Sequence, residues 1–86
     1  MHEMSVALEV CRIAEAYVGS DALSRVTEVG VVVGDHSGVE VGSLRFCLEA
    51  LLDQDPFHGA RAAFERTPGD DLRVSYLEVD DESPTN

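Results

Sequence analysis

Lysine and tryptophan are absent from this 86-residue sequence, which has only two cysteines, three prolines, two tyrosines and three phenylalanines. The two cysteines, Cys11 and Cys47, form no CxxC pair, and both fall within apolar helical patterns. That excludes a disulfide framework and suits small buried side chains. Positive charge is scarce: six Arg oppose seventeen Asp and Glu, for a net charge of −11. This argues against nucleic acid and anionic membranes as partners. It is compatible with cations or a basic protein surface, and equally with simple solubility. The missing lysines, beside abundant Ala, Val, Gly and Asp, reflect codon bias and carry no chemical message. No long apolar run or signal peptide is present, since Met1 to Cys11 contains His, Glu and Ser, so a cytoplasmic protein is expected. Catalytic signatures are missing as well: there is no nucleophile elbow, Walker loop, GxGxxG or HExxH. The stretch Gly34 to Gly38 lacks the lysine and spacing of a phosphate loop. The expectation is a protein that is not an enzyme.

The length suits one small domain with a modest core. Met4 to Gly19 reads as a helix, with Val6, Val10, Ile13 and Tyr17 at helical spacing and Gly19-Ser20-Asp21 stopping it. Arg25 to Gly34, "RVTEVGVVVG", reads as a strand that turns Val29, Val31 and Val33 to the core. A second helix is expected over Val41 to Gln54, with Leu44, Cys47, Leu48 and Leu51 on one stripe and Gly42 as a weak start. "ARAAFER" alternates as a second strand with Ala60, Ala62 and Phe64 inward. "TPGDD" is a turn, and "LRVSYLEVD" is a third strand. Leu72, Val74 and Tyr76 share one parity while Leu77 and Val79 take the other, which requires a bulge near Ser75 or Tyr76. The fold class is therefore α+β, a two-layer arrangement in α-β-α-β-β order. A three-stranded mixed sheet carries both helices on one face, with the first two strands parallel and the last two forming a hairpin. The opposite sheet face is left as a surface for self-association. The domain is expected over residues 1–80, followed by a disordered acidic tail, 81–86.

His36 and His58 stand alone in loops, and Asp70, Asp71, Asp80, Asp81 and Glu82 are turn and tail charges. His2 differs because of its setting. Initiator methionine is normally removed only before a small side chain, so Met1 stays and its α-amine, with a reference pKa of about 8, is a free donor. The amine and the His2 backbone nitrogen form one chelate ring. The His2 imidazole closes a second through Nδ1. Glu3 adds either its backbone nitrogen or its carboxylate. A planar, nitrogen-rich set of amine, deprotonated amide and imidazole favours Ni(II) or Cu(II) over Zn(II). The positive end of the following helix disfavours the cation but assists amide deprotonation.

"MHEMSVALEVCRIAE", "RVTEVGVVVGDHSGVEVGSLRFCLEALL", "GARAAFERTP" and "LRVSYLEV" resemble, in order, the HypA/HybF family of nickel metallochaperones for [NiFe]-hydrogenase and, in some bacteria, urease maturation. The resemblance covers nearly the whole chain except the tail. It implies a nickel site at Met1, His2 and Glu3, with His2 the essential ligand and Glu3 tied to site geometry and partner recognition. It also implies a nickel domain of two helices and a three-stranded sheet. The implied partners are a nickel-handling GTPase and the immature hydrogenase large subunit or another client enzyme, with a homodimer possible. The family inserts a zinc-binding module with paired CxxC motifs between the last two strands; here that position holds only "TPGDD", so no structural zinc is expected. Val41-Gly42 replaces the Pro-Glu frequent at the second helix start, and His36 is unusual in its loop. The competing expectation is a repurposed protein-binding adaptor that keeps the domain without trafficking nickel.

Overall fold

The computed structural model describes residues 2–80; Met1 and segment 81–86, including the expected tail, lie outside the described residues. Along the chain come helix α1 (Glu3–Val18), a 3-10 turn (Ser20–Arg25), strand β1 (Val26–Gly34), helix α2 (Val41–Leu52), and strands β2 (Arg61–Thr67) and β3 (Leu72–Val79). The order is the expected one, with the 3-10 turn added after α1. The N–H of Gly19 donates to the Glu15 carbonyl at 2.8 Å and closes the last turn of α1. No helix among the described residues is long and apolar enough to cross a membrane.

The three-stranded sheet has the order β2-β1-β3, with β2 parallel and β3 antiparallel to β1. This corrects the expected hairpin, because β2 and β3 do not pair and β1 lies between them. The cause is the composition of β1. Val29, Val31, Val32 and Val33 are all buried. So apolar a strand is best placed at the centre, where both rows of its backbone N–H and C=O groups are paired. The 68–71 connection has only to cross two strand spacings, about 10 Å, over the end of β1.

The expected bulge is present. The register steps from Val31 opposite Val74 to Gly30 opposite Tyr76, leaving Ser75 as the extra residue. Leu72, Val74, Leu77 and Val79 consequently all pack against the core. Tyr76, expected on the face of Leu72 and Val74, is instead turned to the opposite face. Its ring covers Gly30, where a Cβ would fall 2.1 Å from Cε2. Its hydroxyl donates to Glu28, whose carboxylate also accepts from Arg61 at 3.1 Å. On the same face Val32 is 2% exposed, with Glu65 and Arg73 opposite it in the register on either side. That face thus carries polar side chains around Gly30 and Val32, with Tyr76 still 42% exposed on it.

The core lies on the other face. Val29, Val31 and Val33 meet Ala7, Val10 and Ala14 from α1 and Leu44, Leu48 and Leu52 from α2. These spacings of three and four give each helix a single apolar stripe, so both cover the same side of the sheet. The alanines let α1 come close, and the leucines of α2 fill the space beside it. The packing brings the two helix N-termini together, which positions the site described next.

Candidate metal centre at the start of the first helix

His2 is the N-cap of α1. Its backbone is extended, with φ −91° and ψ 113°, and its side chain makes no capping hydrogen bond. The helical ladder begins with the Val6 N–H donating to the His2 carbonyl at 3.2 Å. The backbone nitrogens of His2 and Glu3 therefore precede the ladder. A metal ion can take them without breaking a helical hydrogen bond, and the exposed imidazole is free to turn toward the same ion. Met1, the third expected ligand, lies outside the described residues.

Glu3 is the first residue of α1 and is half-buried. One of its carboxylate oxygens accepts the Glu40 N–H at 3.0 Å. Glu40 is in turn the N-cap of α2: its carboxylate accepts from the Ser43 N–H at 2.6 Å and from the Gly42 N–H at 3.2 Å. One acid thus ties the start of the first helix to the cap of the second. The N–H of Glu40 holds the Glu3 carboxyl below the usual glutamate range. The N–H groups of Ser43 and Gly42 do the same for Glu40. Because both values are depressed in the folded chain, the native state binds fewer protons than the unfolded state near the ordinary value, about 4.3. The stabilisation is fully present above that value and is lost as pH falls through the depressed ones. The expected result is a falling melting temperature on acidification in that window, weakened in the Glu40→Ala variant. Two-dimensional NMR of the glutamate carboxyl carbons should place the Glu3 and Glu40 midpoints below the ordinary glutamate value; midpoints at or above it would contradict the clamp.

Glu40 was missed in the sequence because glutamate ranks low among N-caps. The one available signal was that its side chain can reach back over the weak start at Gly42. The other candidates have partners or settings of their own. The His36 Nδ1 stands 3.0 Å from the Pro68 carbonyl, which can only accept, so Nδ1 donates. Nε2 of His58 is 4.0 Å from Asp55 Oδ1 on an exposed turn. Cys11 and Cys47 are half-buried free thiols, and burial pushes the Cys11 thiol up to about 11, which keeps it protonated and a poor metal ligand at neutral pH. Among the described residues, no three His, Cys, Asp or Glu side chains are grouped to hold a metal ion.

Known proteins carry the same sequence pattern. Residues 1–76 match the family model described as "Hydrogenase/urease nickel incorporation, metallochaperone, hypA". A hydrogenase maturation factor HypA from Chlorobaculum parvum is 42% identical over 65 residues, covering 76% of this chain and 58% of the relative. One from Geobacter metallireducens is 41% identical over 69 residues, covering 80% of this chain and 60% of the relative. A third, from Syntrophus aciditrophicus, is 31% identical over 92% of this chain and 76% of its own length. The chain spans about three-fifths of the first two relatives, 58% and 60%. A family match from residue 1 to residue 76, with relatives at 42% and 41% identity over 76% and 80% of the chain, shows that the chain belongs to the HypA family.

Proposed function

We propose that the chain is a nickel carrier for the maturation of a nickel enzyme of the [NiFe]-hydrogenase type, holding one Ni(II) at the Met1-His2-Glu3 segment. The observation that supports this best is the extended, uncapped His2, which leaves the chelating nitrogens ahead of the helical ladder. In this reading the Met1 amine and the His2 backbone nitrogen and Nδ1 supply the nitrogen-rich set that suits Ni(II). Glu3 offers its backbone nitrogen, while its carboxylate stays with the Glu40 N–H and fixes the segment against α2. Because the metal competes with protons for amine, amide and imidazole, binding tightens as pH rises. The family description and the relatives' names support this client class. The proposed partners are a nickel-handling GTPase and an immature hydrogenase large subunit, and the 68–71 connection stands in place of a zinc module.

Calorimetric titration of untagged protein with Ni(II) tests the site. Wild type is expected to bind one ion per chain, and His2→Ala should bind on the order of 100-fold more weakly. Acetylation of the Met1 amine, which turns it into an amide and adds no new terminal amine, should weaken binding as well. If His2→Ala titrates like wild type, the assignment is wrong. The adaptor reading then takes its place, with the exposed Met4 and Leu8 on one face of α1 as its starting point.

A further inference from the structure

We propose that two copies of this chain pair antiparallel through the outer edge of β3, with Arg73 of each copy opposite Glu78 of the other. β3 is an edge strand of eight residues, and its outer row of N–H and C=O groups faces no other strand among the described residues. Residues directly opposite in an antiparallel pair share a face. In a regular strand, a register that pairs residue 72 with residue 79 would oppose the two faces. The bulge at Ser75 changes this. Leu72 and Val74 before it and Leu77 and Val79 after it all face the core, while Arg73, Tyr76 and Glu78 face away. The register Leu72–Val79, Arg73–Glu78, Val74–Leu77 is therefore matched on both faces and uses the whole strand. Its two-fold axis passes between Ser75 and Tyr76, as a self-complementary interface requires.

Two further observations select a second copy as the occupant. The first is charge. Neither Arg73 nor Glu78 takes part in an ion pair within the described residues; the same holds for Arg25 and several carboxylates, but Arg73 and Glu78 are the two charged residues of β3 and carry opposite signs. Two-fold pairing supplies both missing partners twice. The second is the apolar border. Leu72, Val74, Leu77 and Val79 are only half-buried, and open grooves run along the line where α1 meets β3. One, of about 330 Å³, is lined by Val6, Val10, Ile13, Leu72 and Val74. The other, of about 400 Å³, is lined by Tyr17, Val18, Val74, Leu77 and Val79. The same axis brings the partner's end of β3 with Leu77 and Val79 to the first groove, and its Leu72 and Val74 to the second. The six-stranded sheet so formed would leave β2 at each outer edge.

The test is sedimentation equilibrium of the full chain across micromolar to millimolar concentrations, in chelator so that the result does not depend on nickel. Wild type should show a reversible monomer–dimer equilibrium. Arg73→Glu and Glu78→Arg should each raise the dissociation constant about tenfold or more, since each puts like charges opposite one another twice. An equimolar mixture of the two variants restores opposite charges at both positions and should form the heterodimer. Circular dichroism confirms that the variants, both changed at exposed positions, are folded. A wild type that stays monomeric at millimolar concentration overturns the proposal. So does a dimer that neither substitution weakens, or a mixture that shows no rescue.

Discussion

Replacing Leu48 by alanine will remove about 3–4 kcal/mol of unfolding free energy. Leu48 is fully buried at the middle of α2, in the cluster that also holds Leu44, Leu52 and the three inward valines of β1. Deleting its isopropyl group loses the transfer free energy of those atoms and leaves a cavity, because β1 on one side and α1 on the other cannot both move in. A domain of this size has a total stability of roughly 4–13 kcal/mol, so the loss is a large share of it. Urea unfolding followed by circular dichroism is the measurement, and the midpoint should fall with the slope unchanged. Phe46→Ala on the same helix is the control. Phe46 is 76% exposed, and its loss should cost no more than about 0.5 kcal/mol. A Leu48→Ala cost under about 1 kcal/mol would mean that α2 does not pack as described.

Gly34→Ala should be the second severe substitution, at about 3 kcal/mol. A Cβ at this position would fall 2.2 Å from the Gly69 carbonyl oxygen and 2.6 Å from the Asp71 nitrogen. These are backbone atoms, which cannot rotate aside. Three backbone hydrogen bonds hold the 68–71 connection against this end of β1. The N–H groups of Gly34, Asp35 and His36 donate to the carbonyls of Asp71, Thr67 and Gly69 at 2.6, 2.7 and 2.9 Å. Arg66 adds an ion pair to Asp35 at 2.7 Å. Forcing the connection away from β1 breaks this set together, so the amides of Asp35 and His36 should lose hydrogen-exchange protection before the rest of the sheet. Gly69→Ala is the contrast. Nothing lies within 4 Å of a Cβ there, so the melting temperature should hardly change. Equal effects of the two substitutions would mean that the connection is not seated on β1.

Element types and order were legible because each segment shows one period. Val6, Val10 and Ala14 recur at helical spacing, as do Leu44, Leu48 and Leu51, and Ala60, Ala62 and Phe64 alternate. The bulge was legible for the same reason: Leu72-Val74 and Leu77-Val79 have opposite parities, and only an extra residue reconciles them. The side taken by Tyr76 was not, because parity alone cannot tell which of two adjacent residues is the extra one; that was decided by the open space over Gly30 and by the carboxylate of Glu28. Strand order was misread because a short turn between two strands suggests a hairpin, whereas the buried valines of β1 demanded the central position. At the candidate site, His2 was legible through its place beside the terminus. The link from Glu3 to Glu40 was hidden, since it joins positions 37 residues apart through a backbone N–H that no sequence pattern marks.

The separation of β2 and β3 by β1 has a consequence for how this domain tolerates change. In a hairpin, the length of the connection fixes the register of both strands. Here each outer strand takes its register from the central one, so the joint at 68–71 works as a splice point where the number of residues is decoupled from the sheet. Lengthening it would cost loop-closure entropy, about 0.6 kcal/mol for each doubling, together with the contacts to Gly34, Asp35 and His36. Among the described residues, no hydrogen bond or ion pair joins the side chains of His2, Glu3 or Glu40 to residues 68–71. A whole module can therefore be grafted into it or trimmed away while the paired helix starts and the layer of packed side chains beneath them keep their places.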